Sequence, residues 1–338
     1  MTSRSCRVFI ISAIALIVLF ALCMFIGSVD IPAGDILSVL TGGEAARPSH
    51  EFIIMETRLP AALAALLCGM ALSVAGLLMQ TTFDNPLAGP SILGISTGAS
   101  LGVAVVMLLM GTVLGAWGKV AVLAGAIIGA MAVMAILLGL SALVRSAVML
   151  LIVGILLGYL SSSAISLLNF FASREGVHAY VIWGLGSFSA VTLDSLPWFA
   201  ATAVAFTAAA FFYAKPLNAM LLGERYAASA GVSLRSMRMA MLILSGMLTA
   251  AATAWCGPIG FIGLVVPHIA RLALRSSNHH LLIPATALIG AGVGVLCQLL
   301  SALPAESGVI PINAITPIVG VPVILYIIIK RRSIAYFN

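Results

Sequence analysis

Charge is scarce in this sequence. Lys, Arg, Asp and Glu make up 8% of its 338 residues, where soluble domains average about 25%. Hydrophobic side chains make up 62%. That balance excludes a soluble enzyme, a disordered chain and a coiled coil. It also changes the meaning of the net charge of +6. A nucleic-acid-binding domain is excluded, and the basic residues report membrane topology first. Dyad alternation is missing as well, so the long apolar runs read as helices rather than barrel strands. Cysteine is sparse: Cys6, Cys23, Cys68, Cys256 and Cys297 are far apart and lack metal-ligand spacing. They are expected to be free, packed thiols, with no cofactor and no metal site.

Lysine is rarer still, with Lys119, Lys215 and Lys330 the only three. Lys119 follows Gly118 but lacks the upstream glycine and the Ser/Thr of a phosphate-binding loop, so that route to ATP hydrolysis is absent. No H-E-x-x-H occurs, and the adjacent His279 and His280 cannot share one helical face. The apolar runs hold essentially no Asp or Glu. This argues against a proton relay, and less strongly against sodium coupling through backbone carbonyls. Gln80, Asn169, His268, Gln298 and Asn313 are the main polar residues near the run ends.

What the sequence does have is ten apolar segments, near 8–27, 59–80, 91–111, 119–143, 147–171, 196–214, 236–255, 258–275, 281–302 and 311–330. The predicted fold is an all-α polytopic membrane protein with about ten transmembrane helices. Arg4 and Arg7 ahead of Val8–Ile26 resemble a signal peptide, but the run is long enough to span and no small-residue cleavage site follows, so it reads as a retained first span. Arg145 interrupts a long uncharged stretch and predicts a tight turn at the interface. With the N-terminus in the cytoplasm, twelve Lys and Arg fall inside and four outside, while eight of ten acidic residues fall outside. That bias puts both termini in the cytoplasm. Glycines spaced by four (Gly94/Gly98/Gly102, Gly125/Gly129, Gly154/Gly158, Gly290/Gly294) predict close helix packing rather than a site. Residues 28–57 and 172–195 then lie outside, and 215–235 inside.

Three motifs stand out. The first opens with Arg58-Leu59-Pro60, where Pro60 suits a first helical turn. It continues through Gly69–Gly76 to Gln80, then Asn85-Pro86-Leu87-Ala88-Gly89-Pro90, where the prolines end one helix and set the next. Gly94-Ile95-Ser96-Thr97-Gly98 follows. It matches G-x-S-x-G, a pattern that needs a strand-to-helix turn, and small residues at a helix start explain it more simply. The second motif is Leu222-Gly223-Glu224 through Val232, with a short helix expected over Glu224–Ala230 and Gly231 as its stop. The third runs from Gly257-Pro258 to Pro267-His268 and Arg271. Its prolines break backbone hydrogen bonds, which a membrane tolerates only beside protein or a cavity. His268 alone reads as a hydrogen-bonded interface residue before it reads as a ligand.

In order and spacing, from about residue 50 to the C-terminus, these motifs resemble the permease family of ABC importers for ferric siderophores, haem and cobalamin (the FecCD type, type II importers). The Pro311–Pro322 segment fits that family's last span. The resemblance implies one transmembrane permease domain over 1–338, with ten helices. It implies a homodimer around one pathway, two ABC ATPase subunits, and a periplasmic or lipid-anchored substrate-binding protein, all in the bacterial inner membrane. It casts the 215–235 loop as a coupling helix, with Gly223, Glu224, Ala228 and Gly231 at the family's positions. It assigns the pathway to Ser161, Ser162, Ser163, Ser166 and Asn169 and to Asn313 and Thr316. Asn85, Pro86, Gly257, Pro258, Pro267 and His268 become helix breaks or gate. Where the family often has a second basic residue after Arg-Leu-Pro, this chain has Ala61, which leaves Arg47 and Arg58 for docking the binding protein. No catalytic residue and no nucleic-acid partner are implied; lipid is. Two other readings stay open: an ion-gradient-driven secondary transporter, and an intramembrane serine protease using Ser96 and His268.

Overall fold

The computed structural model describes residues 3–110, 118–141, 143–144, 146–303 and 309–330. Among these the regular structure is helical throughout. Helix α1 (Ser3–Phe25) is followed by two short helices, α2 (Ala33–Leu40) and α3 (Pro48–Ile53). A π-helical turn, Ile54–Arg58, joins α3 to α4 (Leu59–Thr82). A loop and a 3-10 turn (Pro90–Leu93) lead into α5 (Ile95–Ala104), which runs on as a π-helical turn, Val105–Met110. Then come α6 (Gly118–Ser141), α7 (Ala147–Phe171), α8 (Arg174–Gly184), α9 (Leu196–Phe212), α10 (Ala214–Met220), α11 (Glu224–Ser229), α12 (Leu234–Cys256), α13 (Ile262–Leu274), α14 (His279–Ala302) and α15 (Ile312–Lys330).

Six of these stretches are long and apolar enough to cross a membrane, and α9 with α10 forms a seventh candidate bent by 57°. Three more apolar helices, Ile95–Met110, Ile262–Leu274 and Ile312–Tyr326, are shorter. Where the hydropathy pattern predicts about ten similar spans, the described residues thus hold six or seven full-length helices and three short ones. The reason is local. Gly94 has φ +77 and stops any helix from running through into α5. Gly257 (φ +78) and Phe261 (φ +66) keep 257–261 out of the helix predicted over 258–275, so α13 begins only at Ile262. The turn expected at Arg145 and the basic pair Arg331 and Arg332 lie outside the described residues.

Helix α4 is the centre of the bundle and packs on α14, α12, α13 and α9. Its small residues permit this. A Cβ on Gly69 would come closer than 3.0 Å to the Gly290 carbonyl of α14, and one on Gly76 closer than 3.0 Å to Gly263 of α13. The spaced glycines pair across helices: Gly98 and Gly102 of α5 meet Gly129 and Gly125 of α6, and Gly94 meets Gly154 and Gly158 of α7. In lipid, where apolar side chains gain nothing by leaving solvent, such backbone approach supplies the packing contact. The cysteines are all free; four are buried, while Cys6 is exposed rather than packed.

Candidate functional site

Two clusters of polar side chains sit at opposite ends of the bundle, while others, such as Ser73, Ser245 and Thr249, are buried along its length. One end holds the C-terminus of α4, the N-terminus of α14, and α10–α11. There, Arg271 of α13 donates from Nη1 to Gln80 Oε1 (2.6 Å), and Gln80 Nε2 donates to the Leu264 carbonyl (3.0 Å). Both side chains are buried, and a buried guanidinium is tolerable only with such partners. His268 is also buried, and its Nε2–H donates to the Pro86 carbonyl at 2.8 Å. The first and third motifs are thereby joined, and His268 serves as the interface residue its setting suggested. The Asn85 side chain accepts from Leu87 N–H (2.9 Å), which shapes the turn ahead of Pro90. Ser96 is buried and its Oγ lies 3.2 Å from Thr253 Oγ1.

Helix α11 is short and sharply bounded. Gly223, at φ +99, precedes it. At its end Gly231 (φ +86) donates to the Ala228 carbonyl (3.0 Å) and Val232 to the Ala227 carbonyl (2.9 Å). This is the Schellman pattern, and glycine meets its left-handed requirement without Cβ strain. The helix ends one residue before the expected Ala230. Glu224 Oε1 accepts from Arg238 Nη2 at 2.5 Å, fixing α11 to α12, although a half-exposed pair of this kind contributes only about 0–1 kcal/mol. Ala228 is exposed, and Leu222 and Tyr226 present apolar surface beside it.

The opposite end is organised by Asn313 and Arg58. Asn313 Nδ2 donates to the carbonyls of Gly184 (3.1 Å) and Pro258 (2.5 Å), and its Oδ1 accepts from Gly260 N–H (3.2 Å). One amide therefore clamps α8, the broken 257–261 segment and α15. Arg58, expected to dock a partner, is instead buried. It donates to the carbonyls of Met24 (2.6 Å) and Phe25 (3.2 Å) at the C-terminus of α1, and to that of Val29. The first two are orphan helix-end acceptors and Val29 belongs to the loop that follows α1, so the guanidinium is spent inside the chain and is not offered outward. Arg47 is exposed. On the same side His50 Nδ1 and Asp35 Oδ2 pair at 2.5 Å, and the hydrogen bond from His50 holds the Asp35 carboxyl below the usual carboxylate range.

The expected pathway residues divide. Ser162, Ser163 and Ser166 are exposed on α7, whereas Ser161 is buried. Asn169 Oδ1 and Thr316 Oγ1 are buried without a hydrogen-bond partner. Asn313 is occupied by its clamp. Helix α7 packs on α5 and α6, and α15 on α13 and α14, so within one chain the two sets sit in separate packing groups. Sequence reasoning missed the roles of Gln80 and Arg271, and it missed Asn218, which bonds His279 and Asn278. For Asn278 the signal existed, since Asn before an apolar run is an N-cap pattern. For Asn218 there was none.

The comparisons bear directly on this arrangement. The FecCD transport family model matches residues 15–330. An ABC transporter permease protein of Methanocaldococcus jannaschii is 31% identical over 314 residues, covering 88% of this chain and 89% of that one. The vitamin B12 import system permease protein BtuC of Klebsiella pneumoniae is 32% identical over 291 residues, covering 86% of each. A solved structure reported as an inward-facing conformation of a metal-chelate type ABC transporter superposes with TM-score 0.83 at 26% identity, over 96% of this chain and 99% of that one. Multi-pass apolar helices, the paired motifs around Pro86 and His268, and a match over nearly the whole length agree: the chain belongs to the FecCD transport family and is an inner-membrane permease of an ABC importer of the FecCD/BtuC type.

Proposed function

We propose that this permease carries a metal-chelate cargo (a ferric siderophore, haem or cobalamin) in an ATP-driven importer, and that it has no catalysis of its own. Two copies enclose one pathway, two ATPase subunits dock at the α11 end, and a substrate-binding protein docks at the other. The positive-inside bias supports placing the α11 end and both termini in the cytoplasm, with ten crossings. The cargo class is supported by the names of relatives: one imports vitamin B12, and one structure is of metal-chelate type.

The observation that carries the proposal is α11, a compact exposed helix held at one end by Gly223 and Glu224 and at the other by a Schellman stop at Gly231. It is too short and polar to span, and it offers Ala228, Tyr226 and Leu222 to a partner's groove. The exposed serines Ser162, Ser163 and Ser166 are the proposed pathway side chains, with Asn313 supporting the wall. The breaks at Asn85-Pro86, Gly257-Pro258 and Pro267-His268 are the proposed gate region. Arg47 remains the docking residue for the binding protein. ATP-driven switching requires that nucleotide state and pathway state share differential contacts, and α11 supplies them. Replacing Glu224 and Gly231 should lower uptake while the chain stays in the membrane at normal level. Unchanged uptake would overturn the assignment of α11.

A further inference from the structure

We infer that Asn218 is a positioning residue for energy coupling: it fixes α10, the stalk of α11, to the first turn of α14 and, through His279, to the end of α4. The inference rests on the reading of α11 as the ATPase contact.

The geometry is specific. Helix α10 departs from α9 at the 57° bend, so its chain neighbour does not hold it in line. Ala214 and Leu217 are its buried apolar contacts. Asn218 adds directed ones. Its Oδ1 accepts from both the backbone N–H (2.8 Å) and the Nδ1–H (2.9 Å) of His279. Its Nδ2 donates to Asn278 Oδ1 at 2.9 Å. An amide oxygen can only accept, so the His279 backbone N–H orients the Asn218 amide, and the ring proton at Nδ1 follows. The same Asn278 oxygen accepts from His280 N–H (3.0 Å) as the N-cap of α14. Asn278 alone is therefore sufficient to start α14, and Asn218 serves a different end, since it joins a second helix to that cap.

The chain of contacts continues inward. His279 is fully buried, and its Nε2 lies 2.9 Å from Thr81 Oγ1. The neighbouring Gln80 holds Arg271 of α13, whose helix also carries His268 against Pro86. The stalk of α11 is thus bonded to α14 and, through His279, to the end of α4, the two most intimately packed helices of the bundle. Displacement of α11 moves the start of α14 with it. Physical contiguity is not coupling by itself, so the test reads the motion directly.

The intact complex is captured from its own host through a tag on this chain. Hydrogen exchange is followed with and without ATP plus vanadate. In the wild type, nucleotide should alter exchange both at 224–231 and at 278–283. With Asn218→Ala, the change at 224–231 should persist and the change at 278–283 should be lost. Asn218→Asp keeps the acceptor for both His279 donors but loses the donor to Asn278, so it should restore the change in part. A merely structural role would instead lower the yield of complex without separating the two peptides. If the Ala variant is not recovered, Asn218→Leu, close to Asn in shape and without its polar atoms, is read in the same way. An undiminished change at 278–283 in the Ala or Leu variant overturns the inference, as does a wild type that responds at 224–231 alone. If nucleotide leaves 224–231 unaltered in the wild type, the reading of α11 fails first, and the two failures are distinct.

Discussion

Helices α4 and α7 are nearly equal in length and in apolar character, yet they live in opposite surroundings. In the most apolar 18-residue stretch of the span ending in α4, 83% of the residues are buried within the chain, against 17% in that of α7. Hydropathy does not separate them; side-chain size does. Gly69, Ser73 and Gly76 let α4 meet the backbones of α14 and α13, while α7 turns Leu156, Tyr159, Leu160, Leu167 and Phe170 outward. In a bilayer, an apolar residue marks the membrane and a small residue marks the neighbour.

The largest expected effect tests the buried side of that contrast. Gly69→Leu places its Cβ inside contact distance of the Gly290 carbonyl, which only a backbone shift can relieve. Overpacking typically costs about 1–3 kcal/mol and occasionally more, and a clash with the α14 backbone belongs at or above the upper end of that range. The folded fraction in mild detergent, followed by thermal unfolding, should collapse. A comparable leucine at exposed Ser163 should leave thermal unfolding unchanged. If it nevertheless lowers uptake, the exposed α7 face meets cargo or a second copy, and the contrast acquires a functional meaning.

A smaller loss follows from Gln80→Leu. It leaves the Arg271 guanidinium without its 2.6 Å acceptor, and a lost hydrogen bond to a charged group costs about 1.5–3 kcal/mol. Thermal unfolding should shift down, and Gln80→Glu, which keeps the acceptor, should recover most of the shift.

The smallest effect lies outside both helices. Asp35 has a depressed carboxyl pKa because of His50. Its contribution is present above the ordinary carboxylate range and is lost as pH falls through the lowered folded value. Proteolysis of the 28–57 segment should therefore accelerate only in strong acid, and Asp35→Asn should abolish that step.

Much of the fold was legible in the sequence, and the reasons are physical. Long apolar runs locate helices whatever surrounds them. Gly231 announced the end of α11 because few other residues accept its φ. Gly257 and Pro258 announced a break, but its length depended on Phe261 adopting a positive φ, which no side-chain rule foresees. The site was legible in part. His268 was read as an interface residue and bonds Pro86. The family resemblance assigns Arg58 to docking the binding protein; only the fold brings the carbonyls of α1 over it. Asn218 and His279 lie 61 residues apart, and no local pattern links them.

Permeases of this family work with an ATPase partner, and element-resolved uptake asks whether this one depends on it. Cells carrying the chain with its ATPase and binding protein are fed haem, a panel of ferric siderophores or cobalamin, and cell-associated iron and cobalt are measured. A gain of iron or cobalt from one chelate is expected, abolished when the ATPase cannot hydrolyse ATP. Uptake that persists without the ATPase and follows an ion gradient would contradict it.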